Sequence, residues 1–201
     1  MVEASAHVKI PIERVGVLIG PEGYVRGFIE RRLGVELQID SESGDVGVRL
    51  RPETPDPTSV FRARDIVKAI GRGFSPERAF RLLDEDVSFG VIDLREYFER
   101  SQADIRRVKG RIIGKNGKTR RLIEELSGAH ISVYGHTIAI IGRPSQFEAA
   151  RDAVEMLIKG REHRSVYRFL HWKRRELKKE AMELWESPPP EARRERNRRE
   201  A

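Results

Sequence analysis

The chain has 201 residues, of which 39 are Lys or Arg and 32 are Asp or Glu, so its formal net charge is +7. Charged residues make up 35% and hydrophobic residues 38%, which excludes a wholly disordered chain and predicts one or two small folded domains. The longest apolar runs, such as residues 138–141, are far too short to span a bilayer, and the lack of Cys excludes disulfides, zinc ribbons and thiol nucleophiles. The first ten residues show no secretory signal pattern, so we expect a cytoplasmic protein. Abundant Arg and Glu without Cys is typical of thermophilic proteins.

The first half of the chain predicts a small α+β unit, residues 1–74. Its pattern indicates a strand, a helix, a glycine-bounded loop, a second helix, two strands and a third helix. The assigned ranges are 7–12 (strand), 20–23 (loop GPEG), 24–33 (helix), 35–40 and 46–50 (strands), and 57–71 (helix). Residues 75–86 predict a connecting helix, because Ser75 suits an N-cap and Pro76 suits the first helical position.

The second half predicts the same order of elements over residues 87–160. The assigned ranges are 87–94 (strand), 103–112 (helix), 114–117 (loop GKNG), 118–126 (helix), and 129–134 and 137–142 (strands). Gly128 suits a left-handed C-cap for the second helix. The last helix is expected to begin at Ser145, with Glu148 completing a capping box.

A repeat links the two halves. Shifting the sequence by 94 residues aligns 16–34 with 110–128, and eight of these 19 positions are identical. The shared residues include the glycines at both ends of each loop and, in the following helix, Ile29 and its equivalent Ile123. Two copies of one supersecondary unit are therefore predicted.

Beyond the second copy, residues 161–186 predict a C-terminal helix. Its apolar residues recur at steps of three and four; they are Val166, Phe169, Leu170, Leu177, Ala181, Leu184 and Trp185. Such a stripe either packs on its own domain or docks a partner, and the sequence leaves both open. Residues 187–201, with three Pro and five Arg against three Glu, predict a disordered basic tail.

The positive charge is concentrated in the second half. Residues 1–100 contain 15 Lys and Arg against 18 Asp and Glu, whereas residues 101–201 contain 24 against 14. Within 106–121 there are eight basic residues and no acidic one. Because this run also contains the loop GKNG, it predicts a nucleic-acid site rather than a merely solvated helix face.

The chemistry of this run assigns roles to its residues. Gly114 and Gly117 let a phosphate approach the backbone, and Lys115 and Asn116 line the loop. The residues expected to contact phosphates or to extend the basic surface are Lys118, Arg120, Arg121, Arg106, Arg107, Lys109 and Arg111. Ile112, Ile113 and Ile131 are predicted either to contact bases or to belong to the core. Single-stranded nucleic acid is the expected ligand, with RNA and DNA both open.

The first loop, Gly20, Pro21, Glu22 and Gly23, differs in its chemistry. Glu22 would repel a phosphate, and Pro21 lacks an N–H donor. We therefore expect this loop not to bind RNA, and its unit to serve as a structural or protein-binding unit.

The motif IIGKNGKTxxxI at 112–123 resembles the signature of the type I KH domain, a single-stranded nucleic-acid module. Together with residues 73–83 and SVYRFL at 165–170, residues 107–135 are similar to the archaeal relatives of Partner-of-Nob-One, a pre-ribosomal KH family. The resemblance covers roughly residues 1–185. It implies two tandem type I KH domains, each a three-stranded antiparallel sheet packed by three helices. It also implies a role at the 3′ end of small-subunit ribosomal RNA, alongside a Nob-type endonuclease, without catalysis.

Other functions find less support. A phosphate-binding P-loop would need Gly at position 112, which is Ile. The five His residues have no metal-binding spacing, and no nucleophile elbow is present, so neither an enzyme, a metal, a cofactor nor a small-molecule substrate is predicted. An assembly adaptor whose main ligand is protein, acting through the first unit and the C-terminal helix, remains an alternative, as does a generic single-stranded DNA- or RNA-binding protein.

Overall fold

The computed structural model describes residues 5–54, 56–99 and 101–186. The first half contains β1 (Ser5–Lys9), α1 (Ile12–Ile19), α2 (Tyr24–Leu33), β2 (Val35–Ile39), β3 (Asp45–Leu50) and α3 (Ser59–Gly71). We call this part the first unit. One α-helical turn, α4 (Pro76–Ala79), follows it and continues as a 3₁₀ turn, Phe80–Leu83. The connector at 75–86 is therefore a short helical segment that ends before residue 86.

The second half repeats the order of the first. It contains β4 (Ser88–Asp93), α5 (Gln102–Ile113), α6 (Lys118–Ser127), β5 (His130–Tyr134), β6 (Thr137–Gly142) and α7 (Pro144–Ile158), which we call the second unit. A 24-residue helix, α8 (His163–Glu186), follows. Gly128 ends α6 in the left-handed conformation, as predicted. Among the described residues, no helix combines the length and the apolar character needed to cross a membrane.

Two three-stranded antiparallel sheets confirm the α+β class. Their strand orders are β1-β3-β2 and β4-β6-β5, so the third strand of each unit lies in the centre. Leu37 pairs with Val48 in the first sheet, and Ile131 pairs with Ile140 in the second. The two sheets therefore share one topology.

The central strand β6 is buried on both faces, which explains its continuous apolar sequence. Ile138 and Ile140 point into the core of the second unit, which also contains α5, α6 and α7. Ala139 and Ile141 point the other way, into the core of the first unit, where Phe89 also packs. The two cores therefore lie on opposite faces of the second sheet, β4-β6-β5.

Polar contacts reinforce this junction. The Ser132 hydroxyl donates to the carbonyl of Arg72 at 2.8 Å, and Tyr134 donates to the carboxylate of Glu13. Arg81 Nη1 lies 2.6 Å from His130 Nε2. Burial lowers the pKa of His130, and the nearby Arg81 guanidinium lowers it further. The neutral imidazole can then accept the hydrogen bond from Arg81.

The capping box at Ser145 and Glu148 is wrong: α7 begins one residue earlier, at Pro144, and the Gln146 side chain accepts from the Arg143 N–H at 3.1 Å. A Pro at the first helical position needs no capping of its own nitrogen, which favours this start. The predicted tail at 187–201 lies outside the described residues.

Candidate nucleic-acid interface

The loop between α5 and α6 is a tight turn built on left-handed residues. Gly114 has φ 70°, Asn116 has φ 53° and Gly117 has φ 75°. The Gly114 N–H donates back to the Gly110 carbonyl at 2.8 Å, and the Gly117 N–H donates to the Gly114 carbonyl at 3.2 Å. A Cβ at position 114 would lie 2.2 Å from Thr119 Oγ1, whereas one at position 117 would meet open space. The open side at Gly117 is where a ligand can approach the backbone.

The predicted site residues lie on this loop and on the two helices that flank it. Lys115, Asn116, Lys118, Arg106, Arg107 and Arg121 are exposed, and Lys109, Arg111 and Arg120 are half-buried. Arg121 Nη2 donates to the carbonyl of Asn116 at 2.8 Å, so this side chain also holds the loop in shape. Arg107 is paired with Asp104 at 2.9 Å. Positive charge therefore lies on the loop and on both helices that flank it, although Lys109 and Arg111, two residues apart in α5, lie on different sides of that helix.

Two of the half-buried arginines have structural partners. Arg111 donates to the carbonyl of Arg161, and His163 Nε2 lies 2.9 Å from the Arg111 carbonyl. Arg120 Nε lies 3.9 Å from Glu124. Arg111 therefore anchors the start of α8 to the end of α5, in addition to the charge it contributes.

The three isoleucines of the predicted site differ in position. Ile112 is 0% exposed and Ile131 is 1% exposed, and both lie in the core of the second unit. Ile113 is half-buried. This placement favours the core alternative for Ile112 and Ile131, which belong to the hydrophobic core of the unit that contains the loop.

Glu124 was not identified as a site residue from the sequence, although it connects α6, the helix that follows the loop, to strand β5. Its carboxylate accepts from the Ile131 N–H at 2.8 Å and from Arg78 at 3.0 Å. The first unit has the same device, since Glu30 accepts from the Leu37 N–H at 3.0 Å. The signal was present in the repeat, where Glu30 and Glu124 occupy identical positions.

The C-terminal helix packs beside the loop. Val166 and Leu170 are fully buried in the core of the second unit. Thr119 Oγ1, at the start of α6, lies 3.1 Å from the Tyr167 hydroxyl oxygen. The first turns of α8 therefore pack on the second unit. The side chains of Leu184 and Trp185 are not among those that the structure describes.

The first loop has the same shape as the second but a different surface. Gly20, Glu22 and Gly23 have φ values of 71°, 51° and 76°. Beside this loop is a cavity of about 750 Å³ whose lining includes Tyr24, Phe28 and Phe80.

Within the described ranges, no three His, Asp or Glu side chains cluster as a metal site.

Comparison with known proteins identifies the family. The model of the eukaryotic-type KH domain (KH-domain type I) matches residues 88–175. A KH domain-containing protein of Methanocaldococcus jannaschii is 49% identical over 178 residues, which cover 89% of this chain and 78% of that protein. The chain belongs to the Partner-of-Nob-One family of KH-domain proteins.

Solved structures of this family superpose closely. Dim2p from Pyrococcus horikoshii is 52% identical with a TM-score of 0.77, covering 83% of this chain and 97% of that one. The chain is also similar to a protein chain in the crystal structure of the a/eIF2α–aDim2p–rRNA complex from the same organism, with 49% identity and a TM-score of 0.82. That match covers 88% of this chain and 97% of the solved chain.

Proposed function

We propose that this protein binds single-stranded RNA through the loop 114–117. The observation that carries the proposal is the open backbone at Gly117, flanked by exposed Lys115 and Lys118 and by a run without acidic residues. A phosphate placed there meets backbone N–H groups and the N-terminal end of the ten-residue helix α6. Phosphate contacts of this kind position the strand, and bases are then read beside them.

The residues proposed to bind RNA follow from this placement. Gly114, Asn116 and Gly117 form the turn. Positive charge on the loop and on its flanking helices comes from Lys115, Lys118, Arg106, Arg107, Lys109, Arg120 and Arg121. Ile113 is the apolar residue of the set that remains partly accessible. Ile112, Ile131 and Arg111 hold the loop and its flanks in position.

The two units are proposed to be tandem type I KH domains, at residues 1–74 and 87–160, with different tasks. Glu22 and Pro21 oppose phosphate binding at the first loop. The apolar cavity beside Tyr24, a residue that is 61% exposed, suits a protein surface better than a phosphate. We therefore assign the first unit a structural or protein-binding role. The cavity beside Tyr24 is the observation that favours the adaptor role as a second candidate function.

The RNA is proposed to be the 3′ region of small-subunit ribosomal RNA during ribosome assembly in the cytoplasm. Support comes from the family and from the aDim2p of P. horikoshii, which was crystallised with rRNA. A Nob-type endonuclease is the protein partner that the family resemblance implies. In this arrangement the protein presents the RNA, and the endonuclease acts on it.

The test is salt-dependent binding of a small-subunit rRNA 3′-end oligonucleotide. Lys115→Asp/Asn116→Asp should weaken binding roughly tenfold or more and flatten the log–log salt slope, since each phosphate contact contributes about −0.7 on a single strand. Glu22→Ala in the first loop is the matched control and should leave both unchanged. Equal effects of the two variants, or none from either, would refute the assignment of binding to loop 114–117.

A further inference from the structure

The first turns of α8 are fixed to the proposed RNA-binding loop. His163 contacts the carbonyl of Arg111 at the end of α5, and Tyr167 contacts Thr119 at the start of α6. Both contacts lie on the flank of α8 that faces these helices. Any surface on the adjoining solvent side of α8 is therefore held in a fixed position relative to the loop.

That solvent side is strongly basic. Residues 163–179 contain seven Lys and Arg and one acidic residue, Glu176, which contacts Lys173 Nζ at 2.6 Å. Arg164, Arg168 and Arg175 are exposed, and their spacing places them on one face of the helix, opposite the buried Val166 and Leu170. We call these three residues, with His171 and Trp172, the α8 face.

The α8 face also offers an aromatic platform. Trp172 is 54% exposed, and it lines an open groove of about 530 Å³ together with Arg164, Arg168, His171 and Arg175. Cationic grooves with exposed aromatic rings bind single strands, because phosphates pair with the cations and bases stack on the rings. From Arg164 to Arg175 the helix rises about 16 Å, so the groove can follow more than one nucleotide.

We propose that the α8 face binds the stretch of single-stranded RNA that continues beyond the loop 114–117. This inference rests on the proposed function and extends its footprint. RNA is favoured over a protein partner because the buried apolar residues Val166 and Leu170 already serve the second unit, and the side left to solvent is cationic. A docking helix for protein would present its apolar stripe instead.

The test compares a short oligonucleotide of about four nucleotides, the length that a GxxG loop clamps, with longer ones. Each longer oligonucleotide carries about six additional nucleotides, at the 5′ end in one and at the 3′ end in the other. The variant is Arg164→Gln/Arg168→Gln/Arg175→Gln. The matched control is Arg31→Gln/Arg32→Gln/Arg49→Gln, which removes the same charge from exposed positions of the first unit. The α8 variant should bind the extended RNA about tenfold more weakly and lower its salt slope by about 2, from three phosphate contacts.

Binding of the short oligonucleotide should be unchanged by the α8 variant and lost with Lys115→Asp/Asn116→Asp. If the α8 variant binds the extended RNA like the wild type, or no more weakly than the control variant, the inference fails while the proposed function stands. If the loop variant binds the short oligonucleotide like the wild type, the proposed function itself fails.

Trp172 provides an independent readout. In Trp185→Phe, Trp172 is the one remaining Trp of the chain. Its fluorescence should change on adding the extended RNA and not on adding the short one, because stacking requires the strand to reach α8. The same response to both lengths, or to neither, contradicts the inference.

Discussion

Glu22 and Asn116 adopt the same left-handed backbone conformation, with φ and ψ of 51° and 24° in one and 53° and 30° in the other. They lie 94 residues apart, at equivalent positions of the two loops. The loops are therefore matched in shape and differ in side-chain chemistry. Asn tolerates this conformation better than Glu does, because its short amide can bond locally to the backbone.

Exchanging the two residues should have opposite effects on stability. Glu22→Asn should raise the free energy of unfolding by about 0.5 kcal/mol, and Asn116→Glu should lower it by a similar amount, as the left-handed preference predicts. Urea denaturation measures both. Asn116→Glu should also weaken RNA binding, because it places a carboxylate where we propose that a phosphate binds. A change of the same sign in both variants would contradict the argument.

The two glycines of the second loop should respond differently to alanine. Gly114→Ala should cost about 2 kcal/mol or more, since its Cβ would collide with Thr119. Gly117→Ala should cost about 1 kcal/mol, from its positive φ alone. Gly110→Ala, in the helix α5 with open space around it, is the control and should stabilise by about 0.5–1 kcal/mol. Thermal denaturation should rank the three variants in this order.

Removing the Glu124 carboxylate should destabilise the second unit. The side chain is 12% exposed and accepts hydrogen bonds from Ile131 and Arg78, so Glu124→Ala should cost about 1–3 kcal/mol through the unsatisfied N–H and the unpaired guanidinium. Glu125→Ala, at the neighbouring exposed position, should change stability by less than about 0.5 kcal/mol. Equal costs in denaturant unfolding would show that the hydrogen bonds of Glu124 contribute nothing.

Stability should fall as the pH drops through and below 6.5. Burial, followed by the charge of Arg81, lowers the pKa of His130 below its usual 6.5. The unfolded chain therefore binds the proton first, and the contribution of the neutral imidazole is present above pH 6.5 and lost as the pH falls toward the folded-state pKa. His130→Gln should reduce the slope of the free energy of unfolding between about pH 7 and 5, and a smaller slope should remain from His136, whose pKa is also lowered by burial. An unchanged slope in that variant would show that His130 is not the titrating group.

The sequence predicted the order of the elements well because the period of the apolar residues is local information. It also identified the loop 114–117, since glycine spacing and charge are read directly from the chain. The roles of Ile112 and Ile131 could not be decided, because an apolar residue beside a loop suits both a core and a ligand site. The helix start at Pro144 was missed because Ser145 and Glu148 offered a competing local signal. The packing of α8 depends on contacts such as Thr119 with Tyr167, which no local pattern encodes.

Strand β6 contributes one face to each hydrophobic core, so neither unit keeps a complete core when the chain is cut between them. A cut between the units leaves Ala139 and Ile141 facing water on one fragment and the first core uncovered on the other. The isolated halves are therefore poor substitutes for the whole chain, and full unfolding should occur in one cooperative step. A destabilising substitution in the first unit then also lowers the fraction of molecules in which the second unit, with its loop 114–117, is folded. Changes in one copy of the repeat therefore affect the other copy.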